Sequence, residues 1–384
     1  MDVSDLSSLR RALHRRPEVS GDERETARTV LAQLEALAPD RTWTDLGGHG
    51  LAAAFDGPEP GPTCLVRAEL DALPIDDAIP AGHRSDTPGV GHKCGHDGHM
   101  TILLGLAARI AAARPAAGRF IALFQPAEET GEGARAVAAD PRFGELRPDW
   151  AFALHNLPGA PAGTVVVRDG TFNCASRGLV VRLTGATSHA AHPEDGASPA
   201  AAMCELVHEL ATLHEHPHVA GEGLALSTVV HARLGEVAFG TAPGEAVVMA
   251  TLRAERDETM ERLASLAAGR AETVAGAHGL AVEVSWRDVF DASVNDLEAT
   301  ERVRNAAQAS GAPLVERDAP FRWSEDFGAL GRTARSSMFG LGAGEEHPRL
   351  HAPDYDFPDG LIVPGIDVFE RIVRATLDPR SSAD

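Results

Sequence analysis

The sequence predicts an α/β fold: a mostly parallel sheet with helices on both faces, interrupted by a ferredoxin-like α+β insertion. Three observations carry that expectation. Short apolar runs alternate with helix-periodic stretches over the first 154 residues, the signature of a sheet covered on both sides. Beyond about Cys174 the order becomes β-α-β-β-α-β, the split ferredoxin-like unit. A chain of 384 residues exceeds the usual size of one hydrophobic core, so two domains are expected.

The elements follow in chain order. Leu6, Leu9 and Leu13, then Ala27, Val30, Leu31 and Leu34, recur at helical spacing on either side of Arg16-Pro17, where proline ends a helix. Residues 51–55 and 63–68 read as strands, 101–113 as a helix, 120–124 as a strand, 134–139 as a helix and 150–154 as a strand. In the insertion, strands are expected at 179–183, 225–234, 245–253 and 280–286, with helices at 199–213 and 257–275. A helix at 300–309 and a strand at 336–339 resume the first domain. The expected limits are 1–175 and 287–384 for the catalytic domain and 176–286 for the insertion.

Composition narrows the function classes. The formal net charge is −21, which repels phosphate backbones and anionic lipid surfaces, so no nucleic-acid or membrane partner is expected. No apolar run approaches the ~20 residues needed to cross a bilayer. The first residues, Met1-Asp2-Val3-Ser4-Asp5, are acidic and lack the order of a secretory signal. Cys64, Cys94, Cys174 and Cys204 form no Cys-x-x-Cys pair, which fits a reducing cytoplasm. All but Cys94 read as small buried hydrophobes. Lys93 is the only lysine in the chain, a scarcity read as codon bias.

Chemistry concentrates in a few short motifs. Gly91-His92-Lys93-Cys94-Gly95-His96-Asp97-Gly98-His99 precedes a helix expected near Met100. Cys94 and His96 can converge there, and a helix N-terminus favours the metal-binding thiolate. Asp97 either orients His96 or caps the helix. Pro126-Ala127-Glu128-Glu129 follows a buried strand, at the edge where open α/β sheets place their sites. One carboxylate can bind metal while its neighbour takes a proton from water, although a solvated acidic loop would look similar. His155 follows another buried strand and His351 lies in Leu350-His351-Ala352-Pro353. Singly, each is as readily a rim histidine. Together these groups suit a divalent transition metal, one or two ions of Zn, Mn, Ni or Co.

Three further positions are candidates. Asp71 ends the strand begun near Thr63 and either orients a ligand imidazole or sits in a turn. Glu325 and Asp326 either hold His351 and its loop or begin a helix at Ser324. His189, in Ser188-His189-Ala190-Ala191, can reach a substrate from the insertion and stabilise an oxyanion, but a surface turn reads equally well.

The ordered set Arg67–Pro74, Cys94–His99, Pro126–Glu129, His155, Ser188–Ala191 and Leu350–Pro353 resembles the amidohydrolase branch of the aminoacylase and carboxypeptidase metallopeptidase clan. That branch includes hippurate hydrolases, auxin-conjugate hydrolases and N-acyl-amino-acid or diaminopimelate deacetylases. The resemblance runs from about residue 6 to 372 and implies a catalytic domain interrupted by a lid and dimerisation domain. It implies metal ligands at Cys94, His96, Glu129, His155 and His351, with Glu128 as general base. It implies a substrate contact at His189 and a homodimer formed through the inserted domain. Two positions depart from the pattern. Gly240 stands where many relatives carry a substrate-holding asparagine, and Ser198 where many carry aspartate.

The expected activity is hydrolysis of the amide bond of N-acyl amino acids or similar small amides by metal-activated water, with Glu128 as base and Asp71 in support. Arg253 is a candidate for binding a substrate carboxylate with its planar fork. The rivals are a dipeptidase or carboxypeptidase acting on short peptides, a metal-binding relative without catalysis, and a cysteine hydrolase using Cys94.

Overall fold

The computed structural model describes residues 3–377, so Met1 and Asp2 of the acidic N-terminus lie outside it. The chain forms two compact units. One comprises the chain up to Phe172, Ser293–Pro320 and the chain from Glu325. The other is Asn173–Ala292 together with Phe321–Ser324.

The first unit opens with helices α1 (Val3–His14) and α2 (Arg24–Glu35). Leu6, Arg10, Leu13 and His14 are buried along one stripe of α1, and Thr26, Val30 and Leu34 along α2, as amphipathic helices on a core require. Strands β1 (Arg41–Leu46), β2 (Gly50–Asp56) and β3 (Glu59–Glu69) follow. Next come helix α3 (His96–Ala112) and strands β4 (Ala117–Gln125), β5 (Trp150–Pro158) and β6 (Val165–Val167). Helix α3 is buried nearly all round and begins four residues before the expected start at Met100.

The second unit is built from β7 (Ala175–Thr184), α4 (Ala200–Ala211), β8 (Ala225–Leu234), β9 (Glu245–Ala254), α5 (Asp257–Ala277) and β10 (Ala281–Phe290). Its sheet runs β8-β9-β7-β10, with every pair antiparallel, which is the ferredoxin-like order. It reaches beyond 176–286 because its first and last strands in the chain are longer than their apolar runs and because Phe321 pairs with Asn173. Leu179, Val181, Leu206, Leu210, Leu252 and Leu263 lie in its own core. Cys204 is exposed, contrary to expectation, because α4 buries the face carrying Ala202, Leu206 and Leu210 instead.

The chain then returns with α6 (Leu297–Ser310), β11 (Leu314–Glu316), β12 (Arg335–Gly344) and α7 (Ile362–Leu377). The sheet of the first unit has the order β1-β2-β4-β3-β5-β12-β6-β11. Its four central strands, β4, β3, β5 and β12, are mutually parallel, whereas β1, β2 and the β12–β6 pair are antiparallel. Parallel strands covered on both faces are apolar throughout, and that made β3, β4 and β5 readable. Helix α7 was not anticipated, although Ile362, Ile366, Phe369 and Val373 are all buried at helical spacing. Among the described residues no helix is long and apolar enough to cross a membrane.

Candidate metal centre

The carboxyl ends of the parallel strands carry the chemistry, and the backbone at each is bent to suit. The loop after β3 brings the chain to Gly95, which caps α3 with φ +92. A Cβ there would lie 2.5 Å from Asn156 Nδ2, and one at Gly98 would lie 2.3 Å from the Phe357 ring. Only glycine fits at either position. After β4, Ala127 takes φ +49, a left-handed turn uncommon for a residue with a side chain. The Ala127 amide donates to Glu23 Oε1 at 2.8 Å, which fixes that turn. Successive residues of a strand point to opposite faces; this turn lets Glu128 and Glu129 approach the same imidazole.

Two of the three-residue donor groups that result share one thiol. Cys94, His96 and His155 place their ligand atoms within 4.8 Å of one another, and so do Cys94, Glu129 and His351. Cys94 Sγ is 3.4 Å from His155 Nε2. His155 Nδ1 donates to the Asn156 carbonyl at 2.8 Å, so its other nitrogen presents a lone pair. His96 Nδ1 donates to the Asp71 carbonyl at 2.9 Å. That leaves His96 Nε2 buried without a hydrogen-bond partner, 3.9 Å from Glu129 Oε1, which also has none. Two buried polar atoms facing each other unpaired are costly. A cation between them removes that cost, so the donor set fits a metal. Its mixture of sulfur, imidazole and carboxylate suits transition ions rather than calcium.

Asp71 ties the ligands together. Its Oδ2 accepts from the Glu129 amide at 2.9 Å and from Ser20 Oγ at 2.7 Å, and its Oδ1 lies 3.4 Å from His96 Nδ1. Burial alone would raise its pKa, but those hydrogen bonds and the His96 ring hold it below the usual carboxylate range. Asp71 thus holds Glu129 and His96 relative to each other. Asp97 plays neither expected part: it is bound by His14 Nδ1 at 2.8 Å and Arg10 Nη1 at 3.2 Å, and Gly95 caps the helix.

Burial, Glu129 and Glu128 push the Cys94 thiol well up. This reverses the expectation from the helix N-terminus, because burial, with the two adjacent carboxylates, outweighs it. Burial also pushes Glu129 up to about 7, while burial and His99 push His155 down to about 3. A bound cation brings the thiol and the Glu129 carboxyl back down and keeps His155 neutral.

Glu128 stands beside the ligands, its Oε2 3.7 Å from His96 Nε2. Burial and the neighbouring Glu325 and Glu129 raise its pKa well above the usual value. Glu325 and Asp326 lie within 4.8 Å of it, and they do not hold His351. Their partner is Arg67, whose guanidinium binds Glu69, Glu325 and, at 2.7 Å, Asp326. Glu69 in turn accepts from His99 Nδ1 at 2.7 Å, and His99 Nε2 accepts from the Asn156 amide at 3.2 Å. Asn156 Nδ2 donates to the Cys94 carbonyl at 2.7 Å. One buried chain of charged and amide groups thereby links the Glu128 side to the Cys94 side. The sequence reading gave Arg67 and Asn156 no role; the signal available was a charged residue inside an otherwise apolar strand.

His189 and Arg253 belong to the second unit. His189 is exposed on a two-residue strand paired with Thr241–Ala242, and its Nδ1 accepts from the Ala191 amide at 3.0 Å. Arg253 Nη1 donates to the Arg322 carbonyl and Ser324 Oγ, both at 2.9 Å. Among the described residues no carboxylate pairs with it, and burial lowers its pKa.

The model of peptidase family M20/M25/M40 matches residues 65–375. The N-acetyldiaminopimelate deacetylase of Leuconostoc citreum is 31% identical over 379 residues, covering 96% of both chains. That of Exiguobacterium sibiricum is 29% identical over 356 residues, covering 93% of this chain and 95% of its own. The crystal structure of the Bacillus subtilis YxeP protein, a dinuclear metal-binding peptidase of the M20 family, matches with a TM-score of 0.81 at 24% identity over 98% of both chains.

Proposed function

The chain belongs to peptidase family M20/M25/M40 and is a metal-dependent amide hydrolase, and we propose that its substrates are N-acyl amino acids. The observation that carries the reading is the buried carboxylate of Glu128 beside two donor groups that share Cys94. The named activity of the deacetylases, removal of an acetyl group from diaminopimelate, supports the substrate class.

Cys94, His96 and His155 would hold one divalent ion, and Cys94, Glu129 and His351 a second. Such ions supply Lewis-acid polarisation of a carbonyl and a reactive water near neutral pH. Glu128 takes a proton from the attacking water at Oε2. As the new C–O bond forms and the C–N bond breaks, Glu128 passes that proton to the leaving nitrogen, which departs poorly as an anion. The products are a carboxylic acid and an amine, and transfer of the acid's remaining proton to the amine leaves a carboxylate and an ammonium. Asp71 keeps His96 and Glu129 in place throughout. His189 contacts the substrate and stabilises its oxyanion, and Arg253, half-buried and paired with no carboxylate among the described residues, binds the substrate carboxylate.

A panel of acetyl-, benzoyl- and aminoacyl-amino acids tests this reading. Amine release from the first two is expected to exceed that from the dipeptides; a preference for dipeptides supports the peptidase reading instead. Arg253→Ala is expected to lower kcat/KM about 10–100-fold, the worth of a charge-assisted hydrogen bond, for substrates with a free carboxylate. Their carboxamide analogues are expected to change little. Equal losses for both classes contradict the Arg253 assignment.

The second unit is also proposed to join two copies of the chain. Strand β8 is an edge of its sheet, open to pairing; Val230 on it and Val237 and Phe239 just beyond it are exposed. Light scattering is expected to give twice the chain mass, falling to the single mass in Phe239→Glu; a monomer in the unaltered protein rejects the proposal.

A further inference from the structure

The single lysine of the chain adjoins Cys94 and has no exposed surface. A composition that supplies arginine at every other long cationic position retains lysine here, and the surroundings give a reason. Lys93 Nζ donates to Asp77 Oδ1 at 2.5 Å and to the Tyr355 carbonyl at 2.9 Å. Its stem passes close over Gly91, where a Cβ would lie 2.9 Å from Lys93 Cε. A thin stem ending in a compact ammonium fits that passage, whereas a planar guanidinium needs more width.

Asp77 is a fixed post for this contact. Its Oδ1 also accepts from the Ile79 amide at 3.1 Å, and its Oδ2 accepts from the Ser85 amide at 2.8 Å and His14 Nε2 at 3.0 Å. The Lys93 backbone makes a second tie, its carbonyl accepting from the His351 amide at 2.8 Å. A third runs alongside, because Tyr355 Oη donates at 2.6 Å to Asn156 Oδ1 and Asn156 Nδ2 holds the Cys94 carbonyl. Lys93 thus clasps the segment from His351 to Tyr355 by both its side chain and its backbone.

That segment needs the support. His96 and His155 are each fixed through Nδ1 by a carbonyl. The His351 ring takes no hydrogen bond among the described residues, its side chain is 51% exposed, and its backbone sits at φ +64. A left-handed conformation at a residue with a side chain persists only where its surroundings enforce it.

We propose that Lys93 is a positioning residue for the metal site: it struts the His351–Tyr355 segment against the Cys94 loop, so that His351 and Cys94 reach the same ion. The inference rests on the ligand assignment made above. It concerns the Cys94–Glu129–His351 group and leaves the Cys94–His96–His155 group intact. Linkage makes it reciprocal: if the clasp favours the ion by some factor, the ion favours the closed clasp by the same factor.

Two measurements on the full chain test it, with zinc as the probe at one fixed pH. In competition with a chromophoric chelator, well below the unfolding temperature, Lys93→Met is expected to bind the second equivalent about 10–100-fold more weakly, as for other outer supports of a metal ligand. Its first equivalent is expected to bind as in the unaltered protein. In the unaltered protein, acetic anhydride labels one lysine only, read by mass spectrometry of the Lys93 peptide. The second equivalent of zinc is expected to slow that labelling by the same factor, and the first to have little effect. Equal second-equivalent affinities overturn the proposal. So does a labelling rate indifferent to the second equivalent, and this result decides alone should Lys93→Met fail to fold. An unaltered protein that binds fewer than two ions defeats the ligand assignment instead.

Discussion

Glu128→Gln is expected to lose about 10²–10⁴ in kcat, the range attributed to a positioned acid–base group, while its metal content stays unchanged. The substitution keeps the shape of the side chain and removes its capacity to carry a proton. Glu128 belongs to neither of the two groups that share Cys94, although its carboxylate lies within reach of His96 and Glu129, so the ions keep all of their assigned ligands. Glu129→Gln is the control: Glu129 contributes to one of those groups, and its loss should appear first in metal analysis. The two carboxylates are neighbours in sequence, yet the turn at Ala127, φ +49, gives them different tasks. A near-normal rate in Glu128→Gln shows that the base has been assigned wrongly.

Cys94→Ala is expected to weaken both ions at once, by more than the roughly 10–100-fold typical of a mutated outer support. The reason is geometric, since Cys94 is the one side chain present in both groups. Protonation adds a second signature. Burial, Glu129 and Glu128 raise the Cys94 pKa, so at neutral pH the free site holds a thiol whose proton the ion must displace. Affinity should therefore rise with pH, and loading an unbuffered sample should release acid. His155 contributes no such proton, being pushed down to about 3 by burial and His99. Cys94→Ala should release less acid per ion than the unaltered protein. Undiminished affinity in this variant removes Cys94 from the site. The close Cys94–His155 pair does not revive a cysteine nucleophile, because the raised pKa leaves little thiolate to attack.

The sequence disclosed what is written in local pattern. The buried parallel strands read as unbroken apolar runs, and the insertion announced itself by its order of elements. Cys94, His96, Glu128 and Glu129 stood out because unusual residue types lie within a few positions of one another. His155 was located, although β5 continues to Pro158 past the expected tip, since its pairing with β12 extends that far. What stayed hidden depends on residues distant in the chain or on backbone angles. Nothing local marks Ala127 or His351 as left-handed. Arg67 meets Glu325 and Asp326 across more than 250 positions. Lys93 looked like an accident of composition until Asp77 and Tyr355 were found on either side of it.

The account stands on two donor groups that share the Cys94 sulfur. Anomalous diffraction from crystals of the zinc-loaded protein examines that directly. Two peaks are expected, one among Cys94, His96 and His155 and the other among Cys94, Glu129 and His351, each about 2.3 Å from the Cys94 sulfur. Peaks elsewhere, or a metal bound with Cys94 outside bonding distance, would contradict it.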